Sequence, residues 1–148
     1  MPCFDDLGDI EPEADVRLWS NAASWAPGSI PIAGESFTID EKWNMEYDIE
    51  GASLVFGAIE VKGILRFSND KDITLNCKRI FINGGKFGIG TKSRPYLKKG
   101  GVTLHGAKED PDQLALEDIG ITAGTKIIAN LGELKLYGKL RTFKMTRL

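Results

Sequence analysis

Between Thr91 and Gly101 four cations, Lys92, Arg94, Lys98 and Lys99, surround a single tyrosine, Tyr96, in a stretch without an acid. A guanidinium forks onto a carboxylate or sulfate, an ammonium adds a point charge, and a phenol ring stacks on a flat apolar face. The loop therefore reads as a docking site for an anion, or, more blandly, as the solvated flank of an acidic protein. Trp19 and Trp25 carry the same double reading. An exposed indole stacks on a sugar ring, whereas a buried one plugs the open end of a layered core. The candidate ligand-binding set is thus Lys92, Arg94, Tyr96, Lys98, Lys99, Trp19 and Trp25.

Catalysis finds weaker support. Glycosidases hold two carboxyl groups roughly 5 to 10 Å apart, one with a raised pKa. The available pairs, Asp40 with Asp48 and Glu109 with Asp112, fall in turn-like contexts. His105, the only histidine, follows the inward Leu104 and points to solvent, where it lacks a partner for general-base work. No phosphate-binding loop opens a helix, no nucleophile elbow occurs, and two cysteines make no zinc cluster. The carboxylates of Ser68-Asn69-Asp70-Lys71-Asp72 match no calcium-loop spacing, so this segment reads as a turn. No catalytic residue, metal or cofactor is expected.

These residues need a scaffold, and glycine marks it. Gly85-Lys86-Phe87-Gly88-Ile89 repeats Gly63-Ile64-Leu65-Arg66-Phe67 after a shift of 22 residues. Gly132-Glu133-Leu134-Lys135-Leu136 follows at a shift of 47, close to two such steps and a small insertion. A glycine turn and short strand returning at near-fixed spacing predict an all-β fold of stacked short strands, solenoid-like or a β-sandwich, with little helix. Alternation places Ile59, Val61, Leu65 and Phe67 inward, with Glu60, Lys62 and Arg66 in water. Trp43, Met45 and Tyr47 alternate as in an edge strand. Further strands are expected at Ser36 to Ile39, Ile73 to Cys77, Arg79 to Ile82, Lys86 to Ile89, Val102 to Leu104, Thr125 to Ala129 and Glu133 to Tyr137. Residues 107–120 form an excursion with at most one helical turn, around Gln113 to Asp118.

The 148 residues, 42% of them hydrophobic, suffice for one core, with 1–17 as an acidic lead-in and 18–148 as a single β domain. A formal charge of −2 predicts no general affinity for nucleic acid, and no run approaches the roughly 18 apolar residues of a membrane span. The opening residues lack a signal-peptide pattern, and the chain reads as a piece of something larger. Cys77 continues the inward series of Ile73 and Leu75, as a buried thiol or as the partner of Cys3 in a disulfide.

The order Trp25, Pro31, Gly34, then Phe37-Thr38-Ile39, Ile59 to Phe67, Ile80 to Thr91, Pro95, Val102 to Gly106 and Gly132 to Gly138 resembles the eight-glycine, or G-eight, domain family. The resemblance runs from about Trp19 to the C-terminus, and Thr146-Arg147-Leu148 looks like the lead into a following β-helix. It implies an extracellular or cell-surface β domain standing before β-helix repeats, in a family associated with binding and turnover of polysaccharide, particularly hyaluronan. Expected partners are therefore a glycan and a neighbouring β-helix domain. Where hyaluronan-linked relatives tend to carry a cysteine this chain has Arg94, so their disulfide is not expected here. Binding or scaffolding is the expected role, with a pure cap or part of a polysaccharide-degrading enzyme as alternatives.

Overall fold

The computed structural model describes residues 16–26, 28–110, 113–116 and 120–139. Strands are their dominant regular structure, with one short 3-10 turn at Ala22–Ser24. Ten strands run β1 (Val16–Leu18), β2 (Phe37–Ile39), β3 (Asn44–Tyr47), β4 (Gly51–Val61), β5 (Ile64–Phe67), β6 (Ile73–Ile89), β7 (Gly100–Leu104), β8 (Leu114–Leu116), β9 (Ile121–Gly124) and β10 (Ile128–Leu136). All except β8 and β9 join one curled, wholly parallel sheet.

The register explains the repeat. Ile59 lies beside Ile80 and Leu65 beside Phe87, so each turn of the chain takes about 22 residues and returns like residues to like positions. Phe37, Ile59, Ile80 and Ile128 make one column across the sheet, and Met45, Leu65, Phe87 and Leu134 another. Ile59, Val61, Leu65, Ile80 and Ile82 are fully buried, because a sheet curled on itself removes one face of every strand from water.

Several expectations change in detail. Trp43 to Tyr47 is not an edge strand: β3 lies between β1 and β5. The shift of 47 is one rung rather than two, since Glu133 pairs directly with Lys86. The extra length lies in the excursion after β7, which holds the antiparallel pair β8–β9; Leu114–Leu116, where at most one helical turn is expected, is strand. The last two predicted strands merge into β10, which begins at Ile128 rather than Thr125.

One end of the curl is filled by aromatic rings. Trp19 packs edge-on to Trp25 at 4.7 Å, to Tyr47 at 4.8 Å and to Phe37 at 5.2 Å, and the Trp25 indole N–H donates to the Trp19 carbonyl. Among the described residues these contacts close the outermost layer at this end of the sheet.

Candidate functional site

Of the surface clefts among the described residues, two gather side chains of the expected set. The first is a polar notch of about 230 Å³ on the outer surface, lined by Glu46, Arg66, Ser68, Asn69, Asp70 and Arg94 over Gly88 and Gly90. It arises from the sheet register. Glu46, Arg66, Gly88 and Lys135 succeed one another on adjacent strands, pointing outward, and Gly88 leaves a gap in that row. Arg66 Nη2 donates to Glu46 Oε2 at 2.9 Å, a half-buried ion pair that neutralises one acid and fixes the wall.

Arg94 forms the opposite lip, on a pinned loop. Its N–H donates to Thr91 Oγ1 at 2.9 Å, its carbonyl accepts from the Thr91 N–H at 3.0 Å, and Asn69 Nδ2 donates to the same carbonyl at 3.4 Å. Among the described residues no carboxylate lies within ion-pair distance of the Arg94 guanidinium, which is exposed. A fixed backbone carrying an exposed fork of donors is pre-organised for a ligand oxygen.

The second place is an apolar cleft of about 650 Å³ at the far end of the curl, between β7 and β10. Phe87, Val102, Ile128, Leu134 and Leu136 form its walls, with Lys98 and Lys99 beside them. The loop expected to act as one site is therefore divided. Arg94 belongs to the notch, Lys98 and Lys99 to the cleft, and Lys92 is exposed and lines neither.

The three aromatic members of the expected set are buried. Trp19 is 0% exposed, Trp25 6% and Tyr96 4%. Their rings serve the core instead of offering a free face to a sugar. Tyr96 turns inward because Gly100 leaves it room: a Cβ there would come within 2.5 Å of the Tyr96 ring. The phenol hydroxyl donates to the Lys71 carbonyl, and burial raises its pKa.

Of the carboxylates weighed for catalysis, Asp40 caps a turn and Asp48 ties two distant segments together. Asp40 Oδ1 accepts from the Lys42 N–H at 3.0 Å, and Asp48 Oδ1 from the Ser20 N–H at 2.9 Å. Glu109 is exposed, and Asp112 lies outside the described residues. His105 is exposed, with Nε2 2.9 Å from Asn76 Oδ1. Cys77 is a free, buried thiol whose pKa burial pushes up to about 12; Cys3 lies outside the described residues. Reading the sequence missed the notch. Glu46 and Arg66, twenty residues apart at outward positions, were the available signal, but that Gly88 follows them in the row depends on the pairing.

A parallel sheet curled around stacked apolar columns, with glycines at its corners and a polar notch outside, defines a glycine-cornered β module. The G8 domain model matches residues 24–148, and the chain belongs to the G8 family. It is 33% identical over 107 residues to a protein of Dictyostelium discoideum, covering 72% of this chain and 9% of that protein. It is 29% identical over 98 residues to human fibrocystin-L, covering 66% of this chain and 2% of the relative. Mouse fibrocystin is 29% identical over 93 residues, again with 2% of the relative covered. The chain thus spans less than a tenth of each of these relatives. No solved structure matches it.

Proposed function

We propose that this G8 domain is a non-catalytic extracellular module that holds an acidic polysaccharide, with hyaluronan as the first ligand to test, by charge and hydrogen bonds rather than by ring stacking. The single observation that carries the reading is the exposed Arg94 guanidinium, held by a pinned backbone at the lip of the Arg66 notch. Arg94 is placed to fork onto a uronate carboxylate. Asn69 and Asp70 offer hydrogen-bond partners to hydroxyl groups, and Glu46 is already neutralised by Arg66. The extracellular placement and the polysaccharide class rest on the family resemblance.

The test is retention of the purified chain on immobilised hyaluronan, heparin and a neutral glycan at about 0.05 and 0.3 M salt, since screening shortens the reach of charge. Retention on an acidic glycan that Arg94→Glu abolishes at unchanged melting temperature supports the reading. Absence of retention at both salts overturns it.

A second reading, a scaffold for a neighbouring β domain, draws on the apolar cleft. An edge of β7 that has no partner among the described residues, beside the exposed Leu97 and Leu136, suits further β structure better than it suits a sugar.

A further inference from the structure

The notch beside Arg94 carries charges of both signs. Arg66 and Arg94 line it together with Glu46 and Asp70, two cations and two carboxylates. Arg66 and Glu46 neutralise each other at 2.9 Å, which leaves Arg94 and Asp70 uncompensated before a ligand. Among the described residues no cation pairs with Asp70, which is exposed, and its carboxylate accepts no hydrogen bond. Its turn, between β5 and β6, is gripped on both sides. The Ser68 N–H donates to the Tyr47 carbonyl at 2.9 Å, Lys71 Nζ donates to the Asp48 carbonyl at 2.6 Å, and Asp72 Oδ1 accepts from the Lys99 N–H at 2.8 Å. The Tyr96 hydroxyl holds the Lys71 carbonyl, and Asn69 Nδ2 ties the turn to the Arg94 carbonyl. Both backbones are thus set before a ligand arrives, so little ordering is left for binding to impose on the two charges.

Such a pair discriminates among anions. A uronate presents one charge for Arg94 to fork onto, while its neighbouring hydroxyl groups can donate to Asp70. A sulfate ester on one of those hydroxyls removes the donor and sets a second negative charge against the Asp70 carboxylate, with no free cation left in the notch to receive it. The other cations of the loop supply none, since Lys98 and Lys99 line the cleft and Lys92 lines neither place. At about 230 Å³ the notch is smaller than the roughly 300–1,000 Å³ of sites that enclose drug-sized ligands, so it takes a single sugar unit of a chain. We infer that Asp70 sets the ligand class of the notch, admitting a uronate unit whose hydroxyls are free and rejecting the same unit once it is sulfated. The inference rests on the binding reading above and adds to it the residue that selects.

Hyaluronan octasaccharide and the same octasaccharide chemically sulfated are the matched probes, titrated against the full 148-residue chain at about 0.15 M salt, where distant charge is screened. The parent is expected to bind the unsulfated probe more tightly. Asp70→Asn keeps a side-chain oxygen that accepts from a hydroxyl and removes the charge. It is expected to tighten the sulfated probe about five-fold, the size of one close unit-charge contact in water, and to leave the unsulfated probe within about two-fold of the parent. Glu41→Gln makes the same change in net charge at an exposed acid ahead of β3, at the opposite end of the β3–β5 pair from the notch, and is expected to alter neither affinity.

Tighter binding of the sulfated probe by the parent overturns the selectivity and leaves the Arg94 site standing. So does an Asp70→Asn effect that is equal for the two probes, or one that Glu41→Gln reproduces, since either would assign the change to overall charge. Binding of neither probe overturns the Arg94 site itself, and the selectivity with it.

Discussion

Gly85 stands directly over Gly63 in the next rung, so close that a Cβ on Gly85 would lie 2.5 Å from the Gly63 carbonyl oxygen. Gly132 repeats the relationship one rung on, where a Cβ would lie 2.2 Å from the Gly85 carbonyl. The three glycines form a corner at which the sheet bends and the backbones close together. Gly85→Ala is expected to destabilise the fold by about 2–3 kcal/mol, because backbone atoms cannot move aside as a flexible side chain can. Gly101→Ala, whose Cβ meets nothing within 4 Å, is expected to stay within about 0.5 kcal/mol of the parent. Urea denaturation of the two variants makes the comparison.

Trp19 carries most of the aromatic plug. Trp19→Ala is expected to cost about 3–5 kcal/mol, in the range for deleting a large buried ring. Thermal unfolding followed by tryptophan fluorescence measures it.

The division of the basic loop predicts a split in binding. With Arg94 at the notch and Lys98 beside the cleft, Arg94→Glu is expected to abolish retention on an acidic glycan, and Lys98→Glu to reduce it only slightly, through the remaining long-range charge. Equal losses in the two variants would show that overall charge matters and the notch does not.

Cys77 is expected to resist alkylation in the folded protein and to react on unfolding, since burial holds its thiol pKa at about 12. The neutral thiol is the form the fold favours. Its contribution to stability is therefore complete below the ordinary thiol pKa and declines as pH rises toward 12. Iodoacetamide labelling read by mass spectrometry, with and without denaturant, checks the reactivity.

Asp110 gives an acid-side counterpart. The Ala107 N–H donates to its carboxylate at 2.8 Å and Lys78 lies 3.6 Å away, and both hold its pKa below the ordinary value. The resulting stabilisation is present above the pKa of the unfolded chain and is lost as pH falls through the folded one. A fall in the protection factor of the Ala107 amide as the pH is lowered, absent in Asp110→Asn, is the expected sign.

Alternation alone placed Ile59, Val61, Leu65 and Phe67 inside, and the spacing from Gly63 to Gly85 announced a rung, because both follow from local geometry repeated along the chain. The class, the inward residues, the glycine corners and the turns at Asp40 and Ser68 to Asp72 were therefore written in the sequence itself. Other features depended on which strand lies beside which. Gly132 could be read as one rung or two from Gly85 until the pairing of Glu133 with Lys86 assigned the intervening residues to an excursion. Tyr96 looked like a loop aromatic until Gly100 left a space for its ring, and Arg94 parted from Lys98 because the loop passes from the outer notch to the open end. Sequence determines which face of a strand is apolar; only the closed curl decides which polar residues from distant rungs share a surface, since that proximity comes from pairing between segments far apart in the chain.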